Sequence, residues 1–382
     1  MAIITINPDK TISINGKRIF PILIRNLCDP GVTTDILCTE KYQNMPWNSV
    51  LFGTVLPSAQ ILANTKLFIT RMNTTAHELN PLFMGFYQPD EPLILNLPAI
   101  EANYQIYKNR DINHIIMLGQ WLNLPAWVTA ADVFITGLYP FREGFIDDVE
   151  SKSRDDCIYI FEHLTRFSLG ISNFNNFPKP VWMGIQAVSA TDESGTLRLT
   201  AKEVRVLVYA SLTMDTQGVF IYTGNTAENA LVSDPVLLQI YINQIEELKS
   251  LENILLLPTK DFSWQYRKGT LVSFSTVLTE TVFGRPYTNY NWILKQDGNI
   301  HYLIIVNKDV RSVTTTISIS GLMGTLPIKT LGLETTGSGR VGRTLTSNNG
   351  SFTDSFDGLA VHIYQISDEE CPPSQCDFTI TQ

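Results

Sequence analysis

The sequence predicts an α/β protein: a (β/α)8 TIM barrel followed by a smaller all-β domain of antiparallel, sandwich-like character. Three observations predict it. Eight short apolar segments recur between residues 18 and 224, separated by polar loops and helix-like stretches. They are apolar at successive positions and not only at alternate ones, which is how parallel strands covered on both faces read. Beyond residue 257 the texture changes to short β-branched runs broken by Gly, Asn and Asp.

The chain opens on a hairpin pattern, "AIITI" and "TISI", with turns at "NPDK" and "NGK". The eight strands are expected at 18–26, 49–55, 66–73, 82–88, 114–121, 131–140, 180–188 and 218–224. Helices are expected at 98–111, 153–171, 200–216 and 233–256. Thr200 and Glu203 have the spacing of a capping box. The stretch "LNLPAWVTA" reads as short and loop-like. A doubly wound open sheet competes with the barrel, but no Gly-rich phosphate loop follows any strand. The expected domains are residues 1–257, residues 258–369 and a polar tail, 370–382.

Composition narrows the class. The chain has 382 residues, 44% of them hydrophobic and 17% charged, enough for a sizeable core. A net charge of −9 excludes general attraction to nucleic acid. No apolar run reaches the roughly 18 residues of a spanning helix, and the first residues lack a leader pattern. A cytoplasmic location without membrane attachment is therefore expected, unless a leader has been removed. Five cysteines are too few for a disulfide framework, and "CPPSQC" leaves open whether Cys371 and Cys376 pair. His77, His114, His163, His301 and His362 form no ligand motif, so neither metal nor other cofactor is expected. "GSGRVGR" (337–343) lacks the Lys-Ser/Thr ending of a phosphate loop and reads as a hairpin turn.

In a barrel the chemistry lies where strands end. Those positions hold Arg25, Asn26, Arg71, Asn73, Asp90, Glu91, Gln120, Trp121, Tyr139, Gln186 and Tyr222. Amides and carboxylates exchange hydrogen bonds with hydroxyls, aromatic faces stack on sugar C–H groups, and cations are few. A carbohydrate suits this mixture better than a phosphorylated ligand. Trp121 and Trp127 are candidate sugar platforms, and Arg25 and Asn26 are candidates to meet a hydroxyl or orient Glu91.

The segments "SINGKRIFPILIRN", "GFYQPDEP", "ADVFITGLYPF", "KPVWMGIQAV" and "LTAKEVRVLVYASLTMDTQGVFIYTG" resemble, in order, strand motifs of clan A glycoside hydrolases. The resemblance covers residues 11–257 and is nearest to relatives of the family 42 and family 5 barrels. The segment "YLIIVNKD" is similar to part of the β-sandwich that many such enzymes carry. The resemblance implies a general acid/base Glu at the end of strand four, which maps to Glu91, with Asp90 in place of the usual Asn. Such an acid needs its carboxyl pKa raised by burial or a neighbouring negative charge. The clan's second Glu ends strand seven, where this chain has Gln186, and an amide cannot serve as a carboxylate nucleophile.

Three readings follow. A loop acid, Asp192, Glu193 or Glu143, replaces the missing partner; an inverting mechanism operates with a more distant base; or the barrel binds carbohydrate without cleaving it. A structural scaffold is the remaining alternative.

Overall fold

The computed structural model describes residues 2–25, 49–52, 67–70, 81–89, 91–120, 122–137, 155, 157–169, 177–187, 190–192, 195–223, 231, 234–264, 268–282, 284–332 and 342–367. By contacts the chain divides into two units. The first comprises Met1–Ser151, His163–Leu199 and Thr216–Ile245; the second comprises Lys152–Glu162, Thr200–Asp215 and Glu246–Gln382.

The first unit begins with a three-stranded antiparallel sheet: β1 (Ile4–Ile6), β2 (Ile12–Ile14) and β3 (Lys17–Ile19). Its turns carry left-handed residues, Lys10 at φ 65°, Asn15 at φ 50° and Gly16 at φ 82°, as tight hairpins require. The strand expected at 18–26 is in fact two: β3 ends at Ile19, and β4 (Ile22–Arg25) begins after Pro21. A proline has no N–H to give a ladder, so the break falls beside it.

Seven further parallel strands follow β4: β5 (Ser49–Phe52), β6 (Leu67–Thr70), β7 (Phe83–Tyr87), β8 (Ile115–Gly119), β9 (Val133–Gly137), β10 (Val181–Gln186) and β13 (Gly218–Tyr222). All eight segments expected from the sequence are therefore strands. Their order is β10-β13-β4-β5-β6-β7-β8-β9, and β9 pairs in turn with β10. Every residue of β7, β8, β10 and β13 is buried, which explains their unbroken apolar runs. Leu23, Met84, Met117, Ile135, Trp182 and Phe220 share one core with Ala2, Ile4 and Ile12 of the first sheet. Ile4 N–H donates to the Asn113 carbonyl, just before β8. The small sheet thus packs at the N-terminal end of the parallel strands, and their C-terminal ends carry the candidate site.

Helix α1 (Leu97–Arg110) follows β7 and is pinned to the strands by one carboxylate. Asp132 accepts from Tyr104 Oη at 2.8 Å, Lys108 Nζ at 3.1 Å and the Ile116 N–H at 2.9 Å. The stretch read as loop-like is a 3-10 turn, Leu124–Trp127. Beyond β10 lies a short antiparallel pair, β11 (Ala190–Asp192) and β12 (Gly195–Leu197), in a segment expected to be loop. Helix α2 (Cys157–Leu169) follows β9, and the contact division falls within it.

In the second unit, helix α3 (Ala201–Thr213) has the expected capping box. The Glu203 carboxylate accepts from the Thr200 N–H at 2.7 Å, and the Glu203 N–H donates to the Thr200 hydroxyl at 3.3 Å. The helix expected at 233–256 is two helices, α4 (Pro235–Ser250) and α5 (Glu252–Leu255), with Leu251 between them. The division of the units also falls within α4.

A nine-stranded sheet, all of whose strand pairs are antiparallel, runs in the order β14-β18-β19-β24-β21-β22-β23-β20-β15. Its strands are β14 (Thr259–Ser263), β15 (Val272–Phe274), β18 (Tyr290–Asp297), β19 (Ile300–Asn307), β20 (Val313–Ile319), β21 (Thr325–Leu331), β22 (Thr344–Asn348), β23 (Ser351–Phe356) and β24 (Ala360–Ile366). A separate pair, β16 (Thr279–Val282) and β17 (Arg285–Thr288), completes the unit. β20 and β23 alternate buried with more exposed residues, whereas β24 is buried throughout. β21 and β22 pair antiparallel, and residues 337–341 of the "GSGRVGR" segment between them lie outside the described residues. Helix α3 packs on β18, β19 and β24.

Candidate functional site

Strand alternation decides which side chains face the interior of the parallel sheet. Trp182 lies in the inner core, so Gly184 and Gln186 share its face; likewise Gly137 shares the face of Ile135, and Gly119 that of Met117. Tyr87 and Tyr222 belong to the same inner core, at the ends of β7 and β13. The last inward positions on three neighbouring strands, β8, β9 and β10, therefore include glycines. Gly137 pairs with Gly184, and a Cβ built on Gly137 would lie 2.7 Å from Gly184 Cα and 2.8 Å from its carbonyl oxygen. No side chain stands at these positions, and a wall of bare backbone faces inward.

Gln186 and Tyr222 are register partners across β10 and β13. One step beyond the Ile221–Ile24 pair, the same register sets Tyr222 beside Arg25 of β4. Three of the residues singled out from the sequence thus lie side by side at strand ends. Gln186 is fully buried, and the Tyr241 hydroxyl of α4 donates to its backbone carbonyl. Burial pushes the Tyr241 hydroxyl far above its ordinary value, so it remains a neutral donor. The Ala187 N–H donates to the Tyr222 carbonyl at 2.8 Å, holding the chain just past the two strands.

Glu91 lies in the segment after β7, the fourth of the parallel strands, four residues past Tyr87. Its N–H donates to the Gly119 carbonyl at 3.0 Å, which ties it to the end of β8. Its φ is 47°, on the left-handed side where a residue with a Cβ is seldom held. Backbone strain of this kind persists only where the surroundings impose it, and it concentrates at functional sites. The residue is exposed.

Gln120 brackets the neighbouring loops. Its Nε2 donates to the Pro92 carbonyl at 3.0 Å, and its Oε1 accepts from the Leu122 N–H at 3.1 Å. Gln88 is buried, with Nε2 donating to the carbonyls of Ile100 at 3.2 Å and Ala130 at 3.3 Å. Its amide joins β7 to α1 and to the segment before β9.

Trp127 was a candidate platform for a sugar ring. It is 2% exposed and packed within the 3-10 turn, so its ring is core. Asn26, Arg71, Asn73, Asp90, Trp121, Tyr139, Glu143 and Glu193 lie outside the described residues, as do the side chains of Arg25 and Asp192. Among the described residues no three His, Cys, Asp or Glu side chains group as metal ligands, and no helix is long and apolar enough to cross a membrane. Cys157 is buried; the other four cysteines lie outside the described residues.

Sequence reasoning missed Tyr87, the bare glycine wall and Tyr241. A signal for the glycines was present, since the inward parity of "IIMLG", "VFITG" and "VWMGIQ" includes Gly near the strand terminus. Met84 and Tyr87, three apart in β7, both lie in the inner core, so simple alternation does not find Tyr87.

No family model matches the chain, and no curated protein matches it by sequence. Solved structures do match. One described as a glycoside hydrolase superposes with a TM-score of 0.62 at 13% identity, covering 96% of this chain and 97% of its own. A family 5 glycoside hydrolase from Bacteroides vulgatus gives 0.60 at 11% identity, covering 96% and 93%. A noncanonic maltogenic alpha-amylase from Thermotoga neapolitana gives 0.54 at 8% identity, covering 91% and 99%. The chain therefore has a glycoside-hydrolase-like fold: parallel strands with helices, and a distinct antiparallel sheet domain.

Proposed function

We propose that this chain is a carbohydrate-active protein that cleaves a glycosidic bond at the C-terminal ends of a complete (β/α)8 barrel, with Glu91 as general acid/base. The domains are best drawn at 1–257 and 258–369, with a tail at 370–382. The observation that carries the reading is Glu91 itself. It follows the fourth parallel strand in a strained, hydrogen-bonded backbone setting, within a fold whose likeness to glycoside hydrolases spans nearly the whole chain. Arg25, Asn26, Trp121, Tyr139, Gln186 and Tyr222 are the proposed sugar contacts, and Asp90 is the proposed electrostatic partner of Glu91.

In this reading Glu91 gives its proton to the leaving oxygen. Enclosure by bound substrate would supply the desolvation that the exposed carboxyl lacks. Gln186 cannot attack the anomeric carbon, so a retaining route needs a carboxylate from a loop, and an inverting route needs one placed farther off to hold water.

The test is turnover of a panel of aryl glycosides and oligosaccharides by the wild type and by Glu91→Gln. The variant should lose about 10²- to 10⁴-fold in rate with its fold unchanged. Equal turnover by the two would remove Glu91 from the mechanism. Gln186 favours a second reading, a barrel that binds carbohydrate without cleaving it. Saturable binding with no new reducing ends over long incubation would establish that instead.

A further inference from the structure

From the rim beside Glu91 we infer the class of leaving group: a glycoside whose aglycone is an aliphatic chain. The inference rests on Glu91 being the acid. An acid that protonates the glycosidic oxygen has the departing group on its own side of the cleft. What lies next to Glu91 along the chain is aliphatic. Leu93, Ile94 and Leu95 are 66%, 57% and 73% exposed, in a 3-10 turn none of whose residues is buried. Leu122, on the loop after β8, is 45% exposed.

These are not loose residues. Gln120 binds the carbonyl preceding Leu93 with one end of its amide and the N–H of Leu122 with the other, so one side chain joins the two loops. The Asn96 N–H closes the turn onto the Leu93 carbonyl at 2.8 Å. The Glu91 N–H fixes the start of the segment to the end of β8. A solvent-facing set of branched aliphatic side chains on a backbone fixed in this way offers no hydrogen bonds to hydroxyls. It fits alkyl or acyl carbon, and the fixed backbone keeps the ordering cost of binding low. Water is released for each methylene laid against it.

The test measures binding separately from turnover. S-linked methyl, butyl, hexyl and octyl thioglycosides of glucose, xylose, galactose and mannose, held below their micelle concentrations, are titrated calorimetrically into the full chain. Affinity should rise about three- to fourfold per methylene over the first several carbons, the step expected for burying CH₂ groups. In Leu93→Ser/Leu95→Ser the dependence on chain length should flatten. In Ile112→Ser, which alters an exposed aliphatic residue preceding β8 rather than following it, the dependence should persist.

A flat dependence in the wild type, or one that the double variant leaves untouched, overturns the inference. So does a wild type that sediments as a dimer which the double variant dissolves, since these side chains would then be covered by a second copy. A steep dependence without hydrolysis of the matching O-alkyl glycosides sustains the aliphatic rim and counts against Glu91 as the acid. Turnover that ignores chain length does the reverse.

Discussion

Glu162 of α2 and Lys308, just past β19, form an ion pair of 2.5 Å with both side chains fully buried. Asn291 Nδ2 donates to the other oxygen of the Glu162 carboxylate. Burial pushes the Glu162 carboxyl up and the Lys308 ammonium down, and their mutual attraction opposes both shifts. The two partners are 146 residues apart in the chain and lie within one unit.

Breaking this pair should be far worse than replacing it. Lys308→Met leaves a buried carboxylate without its cation and should cost about 3–5 kcal/mol in urea unfolding. Glu162→Leu/Lys308→Met removes both charges and should recover most of that loss. A double variant as unstable as the single one would show that shape, not charge, is what the site needs.

Acid should unfold the antiparallel domain through Asp354. Burial alone would raise its carboxyl pKa. Hydrogen bonds from His362, Arg343 and Tyr364, with the charge of His362, outweigh burial and hold it well below the usual range. A carboxylate whose folded pKa is depressed contributes stability in full above its unfolded value, about 3.9, and loses it as pH falls towards the folded value. The gap in urea midpoint between wild type and Asp354→Asn should be widest at neutral pH and should shrink steadily below about pH 4. A gap that does not change with pH would mean that the carboxylate's charge contributes nothing.

Gly137→Ala should be poorly tolerated, because the added Cβ meets backbone atoms of Gly184, which cannot rotate away. A cost of about 1–3 kcal/mol is expected from forced strand displacement. The carbohydrate binding proposed for the strand ends should weaken in parallel. A stable variant with intact binding would mean that the two strands separate freely there.

Much of the fold was legible because it is local. The Thr200–Glu203 box needs four residues and formed as read. Pro21 sits inside the first expected strand, and the break beside it was there to be seen. The break at Leu251 between α4 and α5 carries neither Gly nor Pro to announce it.

The site was legible only by counting strands, which set Gln186 and Tyr222 in register. Trp127 stayed open between platform and core in the sequence because burial is a tertiary property. Proline disfavours helical backbone in the residue before it, which here is Glu91. The Glu91–Gly119 hydrogen bond accompanies a left-handed conformation instead. A contact between two strand ends is not written in either segment alone.

The pairing of β13 with β4 joins Val219 to Ile22, roughly two hundred residues apart. At ordinary synthesis rates β4 waits on the order of 10–40 s for that partner after it leaves the ribosome. Through that interval its apolar edge stands unpaired and open to other chains. Parallel strands cannot mature one hairpin at a time, so the edge of this first strand waits for the last one to arrive.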